Sequence, residues 1–216
     1  MKDLKKYKNL HEMYRKVQRK WLIGMIVFFV LFLLSFVFIF LDMPFDLAMI
    51  MMLMIIPTIG AAIIYLGMRI ITARSLKRFT QEELTRIDSS IPMVQMHNGF
   101  CVTYDAVVCS KGKCFLYPVR DILWVYGHVL TTRLYGVIPV GRDSFVVIAG
   151  KDHKRYTCRT KNRNNAVNNA VEFLKAGLSR YRKGIFYGYS ADLDNMFRKD
   201  FNRMLAMSQE YDMQNT

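Results

Sequence analysis

The chain has 216 residues, 52% of them apolar, and a formal net charge of +14. A mean hydropathy of +0.11 and only four cysteines exclude an intrinsically disordered chain and a disulfide-framed miniprotein. Most of the apolar excess lies between Trp21 and Ile71, and the ~145 residues that follow have the composition of a globular domain large enough to bury one core.

Residues 1–20 form a basic arm with eight Lys/Arg against two acids. Leu4, Tyr7, Leu10, Tyr14 and Val17 recur at steps of three and four, which predicts a helix. Lys5, Lys6, Lys8, Arg15, Lys16, Arg19 and Lys20 occupy its other faces. Such a juxtamembrane segment sets topology and gains roughly 1 kcal/mol per cation near an anionic leaflet.

Residues 21–71 predict a transmembrane helical hairpin. Trp21–Leu41 is 21 residues without a charge, and Leu47–Met68 is 22 more. At ~1.5 Å per residue either helix matches a hydrocarbon core of about 30 Å. The first run continues through Phe38, Ile39, Phe40 and Leu41 into Asp42, with no small-residue cleavage site of a signal peptide. The link 42–46, Asp-Met-Pro-Phe-Asp, is too short for anything but an antiparallel return. Lys/Arg crowd the N-terminal flank, are missing from the link, and reappear as Arg69, Arg74, Lys77 and Arg78. Both termini are therefore expected in the cytoplasm, in a multi-pass protein of the plasma membrane. Pro57 is expected to kink the second span, and Gly60 and Gly67 to allow close helix approach. Neither run carries an ionisable side chain, so a conduit for ions or protons lacks its usual residues.

Residues 72–90 continue as a juxtamembrane helix with Leu76, Phe79, Leu84 and Ile87 as its stripe. Thr80 and Glu83 stand at capping-box spacing. The β-rich domain follows over 91–183. Expected strands are Met93–His97, Phe100–Thr103, Ala106–Cys109, Cys114–Pro118, Ile122–Tyr126, Val137–Ile138, Ser144–Ala149 and Lys154–Arg159. Asn98-Gly99, 110–113 and 150–153 supply turns. A closing helix is expected near Asn164–Tyr181, with Ala166, Val167, Ala170, Val171, Leu174 and Leu178 on one face. Residues 184–207 predict one more short strand and, capped by Ser190, a further helix. Residues 208–216 predict a loose polar tail. The fold class is thus an α+β membrane protein: a two-helix hairpin, then an antiparallel barrel or sandwich with a closing helix and one helix more.

The segment Phe115-Leu-Tyr-Pro-Val-Arg-Asp-Ile-Leu-Trp-Val-Tyr126 resembles bacterial pleckstrin-homology-like domains. The whole chain is similar to small bacterial two-span membrane proteins that carry one. The resemblance spans about Phe100 to Tyr181; Gly184–Met207 lies beyond it. It implies a binding or scaffolding module, not an enzyme, and carries no catalytic residue or cofactor.

Chemistry-bearing motifs are scarce. Cys101, Cys109, Cys114 and Cys158 form no CxxC pair; in a cytoplasmic domain they are expected as reduced, strand-packed thiols. Cys109 and Cys114 with His97, His128 or His153 match no closed zinc pattern. No phosphate loop or dinucleotide fingerprint occurs. The remaining feature is cationic: Lys151, Lys154, Arg155, Arg159, Lys161, Arg163, Arg180, Arg182 and Lys183 cluster around a hairpin and the closing helix. They are candidate contacts for anionic lipid headgroups. The expected partners are the bilayer, those headgroups or another membrane protein; without a nucleic-acid module, nucleic acid is not expected. The expected function is non-catalytic binding or scaffolding at the inner leaflet. A channel or transporter subunit is the alternative, and an enzyme with an unrecognised site comes third.

Overall fold

The computed structural model describes residues 6–40, 55–93, 96–110, 115–134, 138–160 and 165–214. The protein is mixed α+β with two sheets. Helix α1 (Lys8–Phe40) lies against α2 (Ile55–Leu76), and α3 (Gln81–Ser90) follows. Strands β1 (Phe100–Val102), β2 (Ala106–Cys109) and β3 (Phe115–Pro118) make a three-stranded antiparallel sheet. Strands β4 (Ile122–Leu134), β5 (Ile138–Gly150), β6 (Arg155–Arg159) and β7 (Phe186–Tyr187) make a four-stranded sheet of order β6-β5-β4-β7. Its β4–β7 pair is parallel and the others antiparallel. Helix α4 (Ala166–Leu178) precedes β7, and α5 (Ala191–Lys199) and α6 (Phe201–Gln214) end the chain.

Three apolar layers explain why the strands read as nearly continuous apolar runs rather than alternating ones. The central layer lies between the sheets, where Phe100, Val107, Val125 and Ile148 meet Leu174 and Leu178 of α4. A second covers the outer face of the three-stranded sheet: Cys101, Ala106, Val108 and Leu116 pack on Tyr7, Leu10, Tyr14, Leu76, Phe79, Leu84 and Ile87. A third covers the four-stranded sheet, where Leu123, Trp124, Tyr126 and Val147 pack on Phe197 and Met204.

The N-terminal stripe therefore has a structural role that its charges hide. Tyr7, Leu10 and Tyr14 are buried in the domain, and α1 continues unbroken into the apolar run. The first turn of a helix leaves N–H groups without partners. Asp88 of α3 supplies one: its Oδ1 accepts from Leu10 N at 2.8 Å, and its carbonyl accepts from Asn9 Nδ2 at 2.9 Å.

Several local expectations hold. Thr80 and Glu83 form a reciprocal capping box. Asn98 and Gly99 both have positive φ, as a tight hairpin turn requires. Ser190 caps α5.

Others differ. The Met93–His97 strand reduces to a bridge between His97 and Phe100, preceded by a 3-10 turn at Ile91–Met93. Ile122–Tyr126 belongs to one thirteen-residue strand, and Ile138 and Ser144–Ala149 to a second; Val137 lies outside the described residues. The terminal helix breaks at Asp200 and resumes, reaching Gln214 instead of loosening at Ser208. Gly184 accounts for that order: its N–H donates to Asp212 Oδ1 at 2.6 Å, its carbonyl accepts from Ser208, and a Cβ there would collide with Ser208 O.

Among the described residues one stretch, Ile59–Leu76, is long and apolar enough to cross a membrane, with mean hydropathy 1.4. The link 42–46 and the start of the second run lie outside the described residues. Pro57 stands in the first described turn of α2. Among the described residues, a Cβ at Gly24, Gly60 or Gly67 would meet nothing within 4 Å.

Leu10 is fully buried, and Leu10→Ala should cost about 2–5 kcal/mol. Exposed Arg15→Ala, on the same helix, should stay within about 0.5 kcal/mol. Thermal unfolding of the detergent-solubilised chain checks this difference.

Candidate functional site

The structure separates the nine candidate cations. Lys161 and Arg163 lie outside the described residues. Lys154, Arg180 and Lys183 are exposed. Lys151 is half-buried, and its ammonium is pushed below the ordinary lysine range, first by burial and then by neighbouring Arg182. Arg159 pairs with Asp143. Arg155 Nη2 donates to Asp194 Oδ1 at 2.5 Å, and its guanidinium lies 4.9 Å from the centre of Phe197 and 5.8 Å from that of Trp124.

Arg182 is an internal strut with a side chain only 9% exposed. Its Nε donates to Asp212 Oδ2 at 2.7 Å and its Nη2 to Ser208 Oγ at 2.7 Å. Its Nη1 donates to the carbonyls of Arg120 and Ile122. It thus ties α6 to the start of β4. Arg155, Arg159 and Arg182 are committed to carboxylates of this chain, so the exposed cationic surface is smaller than the count of basic residues implies.

A second cluster joins the helices to the sheets. At the end of α2, Arg78 Nη2 donates to Asp152 Oδ2 at 2.9 Å and also meets the Tyr156 hydroxyl. Its guanidinium lies 5.1 Å from the Tyr117 ring centre and 5.0 Å from that of Tyr156. Arg120 holds the same corner through Glu83 and, at 2.9 Å, the Arg78 carbonyl. Burial alone would raise the Asp152 carboxyl. Hydrogen bonds from Tyr156 and Arg78 outweigh it and hold the group below the ordinary carboxylate range. Glu83 is lowered likewise: burial opposes the shift, and Thr80 and Arg120 prevail. Burial pushes the Tyr117 hydroxyl up.

A groove of about 330 Å³ runs between α4 and the β4–β7 edge, lined by Gly127, Val129, Val167, Asn168, Val171, Glu172, Lys175, Tyr187, Gly188 and Tyr189. Gly127 lets α4 approach: a Cβ there would overlap Val167. The Tyr187 hydroxyl is buried and has no hydrogen-bond partner among the described residues, and burial raises it to about 12. No sequence motif marks this groove. The one available signal is the apolar pair Val129-Leu130, which prolongs β4 past Gly127 and His128.

Cys109 of β2 and Cys158 of β6 are joined as a disulfide across the central layer, which departs from the expectation of reduced thiols. The reason is topological: the two strands belong to facing sheets, and both side chains point into the shared core. Cys101 is a free thiol, raised to about 11 by burial. Among the described residues no three His, Cys, Asp or Glu side chains gather to hold a metal. Comparison with protein-family models, with curated proteins and with solved structures found no match.

Two outcomes are expected. A lowered folded-state carboxyl stabilises the protein above the ordinary carboxylate pKa of about 4, and that stability is lost as pH falls through the lower folded value. Unfolding followed from pH 6 downward should therefore show stability falling below about pH 4, less steeply in Asp152→Asn. Separately, Arg182→Ala removes the ties to Asp212, Ser208 and the carbonyls of Arg120 and Ile122 and should cost about 3 kcal/mol, whereas Lys183→Ala should change little; urea unfolding reads both.

Proposed function

We propose that the protein is a non-catalytic, membrane-anchored binding module, with two transmembrane helices presenting a pleckstrin-homology-like domain at the inner leaflet. The apolar belt on α1 and α2 carries this reading. Ile23, Ile26, Phe29, Leu33, Ile59, Ile63, Leu66 and Ile70 are each about half exposed or more, on helices whose runs 21–41 and 47–68 contain no charge. So large an exposed apolar surface is unusual on a soluble monomer, and a bilayer would cover it. Two antiparallel meanders, β1–β3 and β4–β6, followed by α4 support the domain assignment. Of the nine candidate cations, exposed Lys154, Arg180 and Lys183 are the ones left for anionic headgroups.

The N-terminal stripe sharpens this reading. Because α1 enters both the apolar belt and the domain core, the domain is held in a fixed attitude to its anchor rather than on a flexible tether. The alternatives, a channel or transporter subunit and an enzyme with an unrecognised site, have no comparable support.

A second arrangement, with the domain on the outer side, is favoured by the Cys109–Cys158 disulfide, because stable disulfides belong to oxidising compartments. Against it stands the excess of Lys/Arg flanking both apolar runs.

Alkaline carbonate washing of native membranes tests the anchor: the chain should remain in the pellet, and release into the wash would defeat the reading. Protease added to sealed vesicles of either orientation tests the side. Cleavage of N- and C-terminal tags only in inverted vesicles is expected; cleavage only in right-side-out vesicles would place the domain outside.

A further inference from the structure

On both long helices a cationic stretch separates the residues packed in the domain from the apolar belt. On α1 the buried residues end at Tyr14 and the exposed belt begins at Ile23. On α2 the belt ends at Ile70, and Thr72, Ser75 and Leu76 are buried. Arg15, Lys16 and Arg19 stand in the first interval, and Arg69, Arg74 and Lys77 accompany the second; all six are exposed.

Helix geometry sets their face and their depth. Tyr7, Leu10 and Tyr14 turn into the domain, and at about 100° per residue Arg15, Lys16 and Arg19 fall on the opposite side of α1. Arg19, Arg69 and Arg74 lie within about 6 Å along the axis of the nearest belt residue. A headgroup layer is about 5–8 Å deep. Arg15, Lys16 and Lys77 stand about one turn further out. Arg69 lies 5.9 Å from the ring centre of Tyr65, one turn deeper in the belt, and a tyrosine below a cation suits a membrane–water boundary.

Carboxylates are scarce beside these groups. The sequence has no acid between Glu12 and Asp42, nor between Asp46 and Glu82. Among the described residues no carboxylate pairs with Arg15, Arg19, Arg69, Arg74 or Lys77. Lys16 meets Glu12 of its own helix at 3.1 Å, with both side chains more than half exposed, and such a pair is weak. Arg78, Arg120, Arg155, Arg159 and Arg182, by contrast, are each held by a carboxylate of the chain.

We propose that Arg15, Lys16, Arg19, Arg69, Arg74 and Lys77 form a collar that binds the phosphates of anionic lipids. This collar, and not the trio Lys154, Arg180 and Lys183, gives the protein its preference for anionic over zwitterionic lipid. The proposal rests on the bilayer reading. Lipid is the occupant because the collar adjoins the belt: lipids whose tails cover Ile23 and Ile70 carry their phosphates at the depth of Arg19, Arg69 and Arg74. An acidic protein would have to displace those headgroups to reach the same charges. Since α1 and α2 are built into the domain core through Tyr14 and Leu76, headgroups held here also fix the height of the domain above the leaflet.

The test uses the full chain in detergent, where topology does not intervene. Native mass spectrometry with equal amounts of phosphatidylglycerol and phosphatidylcholine of the same acyl chains should show phosphatidylglycerol retained at least about fivefold over phosphatidylcholine. Arg15→Gln, Arg19→Gln, Arg74→Gln and Lys77→Gln combined should bring that ratio close to one, with the melting temperature in lipid-free detergent unchanged. Arg15→Lys, Arg19→Lys and Arg74→Lys combined should keep the preference, because they keep the charge. Lys154→Gln, Arg180→Gln and Lys183→Gln combined should keep it as well. Equal retention of both lipids by the parent chain, a preference that survives the collar substitutions, or one lost with the trio would each overturn the proposal. Release of the chain by the carbonate wash would defeat the bilayer reading and the collar together; a chain that stays in the pellet yet shows no lipid preference defeats the collar alone.

Discussion

The outer face of the three-stranded sheet is apolar, and Tyr7, Leu10 and Tyr14 are what close it on the α1 side. Ala106, Val107, Val108 and Cys109 are buried on both faces of β2, so this sheet is unstable in water without helices over it. The covering helices are also those that run into the apolar segments. The long helices and the three-stranded sheet therefore share one core, and neither has its native surface without the other.

Polar contacts follow from that arrangement. Asp88 satisfies the start of α1 from the start of the domain, and Arg78 and Arg120 bolt the end of α2 to the β5–β6 turn and to α3. These groups are only partly buried, so each contributes modestly. Their value is geometric: they fix the angle at which the helices enter the domain. The opposite sheet is closed in the same way by α5 and α6, with Arg182 as the tie between α6 and the start of β4.

The surface that remains is short of chemistry but not featureless. Arg155, Arg159 and Arg182 are assigned to carboxylates, and the groove beside α4 carries Glu172 and Lys175 among its lining residues.

The elements legible in the sequence are those set by local rules. The α4 stripe at Ala166, Val167, Ala170, Val171, Leu174 and Leu178, the Thr80–Glu83 capping box, and the Asn98-Gly99 turn each depend on neighbours within a few residues. Lack of charge over two long runs is equally local, and it determined the expectation of an anchor. What only the tertiary structure decided involves partners far apart in the chain. Arg182 finds Asp212 thirty residues on, Arg155 finds Asp194 thirty-nine on, and Cys109 meets Cys158 forty-nine on. A basic residue looks the same in sequence whether it faces water or a carboxylate; the fold alone brings the opposite charge to it.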